Sequence, residues 1–202
     1  MKKNRKKSMI FILVLILLLV GLNLKNIVKI FYPLNYKEYI EVYSKEYNLN
    51  SLFVAAVIKA ESNFQIDAVS NKDARGLMQL TPSTAKWAAA KLKIENFHID
   101  SLFNPELNIK IGCWYLNDLS KEFGGDTTAI LAAYNGGRGN VNKWLSNKEY
   151  SKDGKKLDYI PFKETDQYVK KIEVNYNMYK FLYGEDNDYI NFLKLVFSKF
   201  LL

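Results

Sequence analysis

Cysteine and histidine are nearly missing from this chain: Cys113 and His98 are the single representatives of their kinds in 202 residues. One cysteine rules out an internal disulfide. A zinc site draws on three or four N, S or O ligands, and with this supply it would have to be assembled from carboxylates, an uncommon choice. A Ser-His-Asp triad would be forced to use His98, which sits in Glu95-Asn96-Phe97-His98-Ile99 with no nucleophile motif beside it. His98 therefore reads as an ordinary surface or loop residue, and Cys113, on an apolar helical stretch, as a buried structural thiol. Convincing strand alternation is absent too, which makes the expected class mainly α.

Acidic residues are lacking at the start of the chain, where Lys2, Lys3, Arg5, Lys6 and Lys7 precede the first apolar run. The formal charge of +8 suggests an acidic polymer as partner until these five of the 29 basic residues are set aside, leaving 24 against 21 acidic ones. The body is then only mildly cationic, and no nucleic-acid partner is expected, because such a partner calls for a concentrated basic stripe on the folded domain.

From Met9 to Leu22 the chain is apolar without interruption, and it resumes through Ile27, Val28, Ile30, Phe31 and Tyr32. Counting Lys25 and Lys29, whose ammonium groups can snorkel to the interface, the stretch is long enough to span a bilayer. A cleaved signal peptide shows the same basic start, but no small-x-small site lies near Gly21-Leu22-Asn23-Leu24-Lys25. The expectation is a basic cytoplasmic tip and an uncleaved transmembrane signal anchor over residues 1–32. By the positive-inside rule, the domain that follows faces outward from the cell membrane.

Beyond the anchor, apolar spacing and capping residues predict a series of helices. Asn35 with Glu38 three residues on resembles a capping box ahead of Tyr36, Ile40, Tyr43 and Tyr47. Asn50 can cap a helix from Ser51 to Glu61 that is apolar on every face and so should be central and buried. Thr81-Pro82 and Asn104-Pro105 each put a capping side chain before a proline suited to the first helical position. Asp126 can cap a helix that stops at Asn135-Gly136-Gly137, and another follows from Val141 to Leu145. After a polar, lysine-rich loop, Val169, Ile172, Tyr176 and Tyr179 share one stripe of a last long helix. The predicted domain covers residues 33–183. Residues 184–202, with Ile190, Leu193, Phe197 and Phe200 at helical spacing, form a C-terminal amphipathic helix, docked on the domain or lying on the membrane surface.

Glu61 ends an almost wholly apolar helix, a costly place for a carboxylate that nothing uses. Desolvation there raises a carboxyl pKa and makes a general acid. Downstream come Glu61-Ser62-Asn63-Phe64, Ala68-Val69-Ser70 and Ala74-Arg75-Gly76-Leu77-Met78-Gln79-Leu80-Thr81-Pro82-Ser83-Thr84-Ala85. Then follow Gly112-Cys113-Trp114-Tyr115-Leu116, Ala132-Ala133-Tyr134-Asn135-Gly136-Gly137 and Ile160-Pro161-Phe162-Lys163-Glu164-Thr165, with Tyr168-Val169 closing the series. In this order the motifs closely resemble those of the soluble lytic transglycosylase family, which has a lysozyme-like fold.

That resemblance implies an enzyme cutting the bond between N-acetylmuramic acid and N-acetylglucosamine in peptidoglycan strands, without metal or cofactor, and leaving 1,6-anhydro ends. Glu61 would be its catalytic acid. Ser70 and Gln79 would hydrogen-bond near the reacting sugar, Met78 would pack against a sugar ring, and Gly76 would let the backbone approach closely. Tyr134 and Asn135 would face Glu61 across the cleft, with Glu164 and Tyr168 closing it. Asp73, where a small residue is expected, and Asp166, where arginine is frequent, depart from the pattern and bear on subsite preference. A muramidase of the same fold would need a second carboxylate to activate water, with Asp67 and Asp73 nearest in sequence. A catalytically idle wall-binding component would have no need of Glu61.

Overall fold

A computed structural model describes residue 12 and residues 23–184. The chain divides after Pro33 into two compact units. In the first, residues 23–31 are helical with mostly exposed side chains. Most of the expected anchor, residues 1–11 and 13–22, and the expected amphipathic helix, residues 185–202, lie outside the described residues. Among the described residues no helix is long and apolar enough to cross a membrane.

The second unit is built from helices α1 (Lys37–Glu46), α2 (Ser51–Glu61), α3 (Pro82–Lys91), α4 (Pro105–Glu122), α5 (Thr127–Gly136), α6 (Arg138–Leu145) and α7 (Lys163–Tyr183), with a 3₁₀ turn at Ile99–Phe103 before α4. Its described residues contain no strand beyond two isolated bridges that tie Arg75 to Val69 and to Leu80. The mainly α expectation holds.

Helix α2 is the axis of the domain. Val54, Ala55, Ala56, Val57 and Ile58 are all 0% exposed, as expected of a helix that is apolar all round. It packs most extensively against α7, and this pairing brings the end of α2 to the early turns of the last helix, where Tyr168 lies. Asn50 starts α2 by accepting hydrogen bonds from Leu52 N at 2.9 Å and Phe53 N at 3.1 Å. Thr81, Asn104 and Asp126 cap α3, α4 and α5 in the same way. The capping box expected at Asn35 and Glu38 does not form. Helix α1 instead begins after Tyr36, whose left-handed backbone (φ 57°) carries no side-chain cap, whereas a capping residue needs an extended one.

Between α2 and α3 the chain makes a laced loop under the site. Gly76 N donates to Ala68 O at 2.9 Å, and Arg75 and Leu80 exchange backbone bonds at 3.0 and 3.2 Å. The support comes from Asn108 of α4, fully buried. Its Oδ1 accepts from Met78 N at 2.8 Å, and its Nδ2 donates to Arg75 O at 3.0 Å and Leu102 O at 2.8 Å. A Cβ on Gly76 (φ +74°) would lie 2.3 Å from both Asn108 Nδ2 and Leu102 O. Glycine is thus required there by backbone conformation and by space.

Candidate active site

A cleft of about 350 Å³ is lined by Glu61, Ser70, Asn71, Lys72, Ala74, Gln79, Thr81, Tyr134, Asn135 and Glu164. The end of α2 supplies Glu61, the laced loop supplies its near wall, and the ends of α5 and α7 supply the far side. The sequence reading named six of these residues, and the fold brings them together.

Glu61 sits at the inner end of the cleft. Tyr168, one turn after Glu164 on α7 and almost wholly buried, donates from its hydroxyl to Glu61 Oε1 at 2.5 Å. Burial pushes the Glu61 carboxyl up from 4.5 to about 7, against the opposing pull of the Tyr168 hydrogen bond and of the Lys171 charge. Desolvation wins because a carboxylate loses more by leaving water than one phenol and one solvated ammonium restore. Lys171 itself is anchored on the backbone, its Nζ donating to Ala60 O at 2.7 Å. Both tyrosines near the acid, Tyr134 and Tyr168, are held well above the ordinary phenol value by burial and by the neighbouring carboxyl. They are therefore permanent donors.

Tyr134 donates to Met78 O at 2.7 Å, tying α5 to the laced loop across the cleft floor, and its ring lies 5.3 Å from that of Tyr115. Asn135 accepts from Thr165 Oγ1 at 2.9 Å through its Oδ1, which leaves its Nδ2 as the group available to a ligand. Gln79 has a left-handed backbone (φ 47°), an uncommon state for a long side chain. Its Nε2 donates to Ala68 O and to Gly76 O, each at 3.0 Å. Both amide hydrogens are thereby committed, so Gln79 is an acceptor in the cleft and not the donor and acceptor expected from its chemistry alone. Ser70 Oγ accepts from Lys72 N at 3.2 Å and Ala74 N at 3.1 Å, shaping the rim.

Three expected residues are not in the lining: Tyr168, which reaches the cleft through Glu61, and Met78 and Gly76. Met78 is 0% exposed and fills the space left by Gly112, where a Cβ would come within 2.2 Å of its Sδ. It supports the cleft floor from beneath and offers its carbonyl to Tyr134. Gly76 is buried as well, and the close approach it permits is to Asn108, not to a ligand. Asp67 and Asp73, the carboxylates nearest in sequence, do not line the cleft. Asp67 is exposed and Asp73 is paired with Arg75 at 2.9 Å.

Sequence reasoning missed Asn71, Lys72, Ala74 and Thr81 in the cleft lining, and Lys171 and Asn108 behind it. Asn108 had a signal, being a polar residue on the buried stripe of α4 with Gly112 and Leu116. His98 is exposed. Cys113 is fully buried and its thiol is pushed up by desolvation, which keeps it protonated and inert. Among the described residues no group of three His, Cys, Asp or Glu could hold a metal ion.

Known proteins share this fold. The lytic transglycosylase Slt of Pseudomonas aeruginosa, solved as an inactive glutamate-to-glutamine mutant, superposes with a TM-score of 0.67 at 32% identity, covering 75% of this chain and 25% of that one. The 70 kDa soluble lytic transglycosylase of Escherichia coli gives 0.68 at 30% identity over 76% and 25%. The soluble lytic murein transglycosylase of Salmonella typhimurium is 31% identical over 156 residues, 76% of this chain and 24% of that protein. The chain thus spans about a quarter of the length of these relatives, and its fold is the lysozyme-like one of the solved lytic transglycosylases. The sequence profile of the transglycosylase SLT domain matches residues 38–157, and the chain belongs to that family.

Proposed function

We propose that this protein is a peptidoglycan lytic transglycosylase that breaks the β-1,4 bond between N-acetylmuramic acid and N-acetylglucosamine and leaves a 1,6-anhydromuramic end. The observation that carries the reading is Glu61: a carboxyl at a cleft, protonated near neutral pH by burial and oriented by Tyr168. Because Oε1 accepts from Tyr168, the transferable proton sits on Oε2. Glu61 gives it to the glycosidic oxygen as the bond to the muramic C1 breaks. The N-acetyl group of the same sugar stabilises C1 as the leaving sugar departs. The muramic C6 hydroxyl then attacks C1 and returns its proton to Glu61, so acid and base are one residue and no water is consumed.

The other cleft groups are positioned to hold the strand. Asn135 Nδ2 is a donor and Gln79 Oε1 an acceptor for sugar hydroxyl or amide groups, Ser70 shapes the rim, and Tyr134 fixes the floor. Met78 and Gly76 serve from below. A hydrolase of this fold would need a second carboxylate to activate water. Asp67 and Asp73 are out of the cleft, so among the described residues that lining role could fall only to Glu164. The relatives are named as transglycosylases, which favours the non-hydrolytic route. We place the domain outside the cell membrane, held by the apolar N-terminal segment, on the strength of the basic start and the Met9–Leu22 run. Replacing Glu61 by Gln keeps size and polarity but removes the proton, and should lower the rate of peptidoglycan clearing by about a hundredfold or more. Near-normal clearing by that variant would move the acid elsewhere.

A further inference from the structure

The rim of the cleft carries a cation that the reaction does not use. Lys72 lines the cleft beside Ser70 and Asn71, its side chain is exposed, and no ion pair to it exists among the described residues. Its neighbour Asp73 is the natural candidate to neutralise it. The fold prevents this. Asp73 has a left-handed backbone (φ 58°) and bonds Arg75 Nε at 2.9 Å, while Arg75 also pairs with Asp100 and lies over the Phe103 ring.

The segment holding Lys72 is pinned as well. Ser70 N donates to Ala74 O at 3.0 Å and Asp73 N to Ser70 O at 2.9 Å, while Ser70 Oγ accepts from Lys72 N and Ala74 N. A short rigid loop thus presents one unpaired ammonium at the mouth of a cleft whose remaining lining is neutral apart from Glu61 and Glu164. The backbone beneath it is thereby fixed, and the exposed ammonium on its flexible stem is free to reach a ligand anion at the cleft mouth.

We infer that Lys72 is a specificity-determining residue that binds a carboxylate of the glycan strand. The inference rests on the glycan-strand reading above. Two sources offer that chemistry: the lactyl carboxylate of muramic acid where the stem peptide is missing, and the carboxylates of the stem peptide where it is present.

The test compares the wild type, Lys72→Met and Lys72→Arg on peptide-bearing strands, on strands stripped of peptide, and on stripped strands whose carboxylates have been converted to neutral amides. Lys72→Met should raise KM by about three- to fivefold on the strand with the recognised carboxylate, as for an exposed ion pair. Lys72→Arg should return KM to near the wild-type value, and all three proteins should agree on the amidated strands. A penalty confined to stripped strands names the lactyl group; one confined to peptide-bearing strands names the stem; one on both shows that either serves. Equal KM for wild type and Lys72→Met on both carboxylate-bearing strands would overturn the inference, and so would an undiminished penalty on the amidated ones. Repeating the comparison as equilibrium binding, with each Lys72 variant in Glu61→Gln protein, reads the Lys72 contact without turnover. Failure of the cleavage reaction is thereby told apart from failure of this contact.

Discussion

Glu61 is the side chain on which chemistry and stability meet. In the unfolded chain it ionises near 4.5, in the folded one near 7, so the native state holds the extra proton between those values. For a carboxyl raised in this way the stabilising contribution is complete below the unfolded value and is lost as pH rises through the folded one. The difference corresponds to about 3 kcal/mol. Glu61→Gln should therefore be more stable than the wild type by up to about 3 kcal/mol near pH 9 and indistinguishable from it near pH 4, as read by urea denaturation. A variant less stable than the wild type in alkali would mean that the buried carboxylate is better compensated than its surroundings indicate. The Tyr168 hydroxyl favours the ionised form, so Tyr168→Phe should raise the Glu61 pKa. The alkaline limb of the kcat/KM profile should then move to higher pH, even as the level of activity falls because the acid is less well oriented. A limb that stays in place or moves down would contradict the role given to Tyr168. Glu61 was legible in the sequence because an acid on an all-apolar helix is conspicuous. The resemblance put Tyr168 at the closing edge of the cleft, but its bond to Glu61 was not legible, since the two meet only when α7 packs on α2.

Among the elements, those that begin with a local chemical signal were the easiest to read. Asn50, Thr81, Asn104 and Asp126 each cap a helix as expected, because a cap is a contact between residues two or three apart. The expected box at Asn35 failed for an equally local reason, the left-handed turn at Tyr36. The 3₁₀ turn at Ile99–Phe103 is too short for a period to show. The laced loop was the hardest, since Asn63, Phe64, Asp73 and Gln79 all take positive φ, and a pattern of residue types cannot reveal backbone strain that long-range contacts impose. Asn108 is the largest of those contacts. Asn108→Ala would leave Met78 N without its partner and remove two donors from buried carbonyls, so it should cost about 3 kcal/mol of unfolding free energy. Amide exchange should accelerate most in residues 74–80, and strand cleavage should fall with it because Gln79 and the Tyr134 anchor at Met78 O lose their support. A loss below about 0.5 kcal/mol would show that the loop stands without this pillar.

For the whole molecule, the sequence predicts a tethered enzyme: a basic tip, an apolar run and an outward domain. Protease added to intact spheroplasts should digest the domain, and the mature chain should keep its first residues. A released product starting after Leu24 would show a cleaved leader in place of an anchor. The helical domain itself was legible from its spacing and caps, whereas the cleft was assembled from three distant parts of the chain that only the family motifs tied together. Lys72 and Asn71 carried no motif and emerged only from the fold, and Thr81, read as a helix cap, proved to line the cleft as well. If an acid without a dedicated water-activating partner performs both proton transfers, mass spectrometry of the products from purified peptidoglycan will find every new muramic end as a 1,6-anhydro sugar, one water lighter than the hydrolysis product and lacking a reducing end. Reducing-end muramic acid as the main product, disappearing when Glu164 is replaced by Gln, would show that the enzyme is a hydrolase.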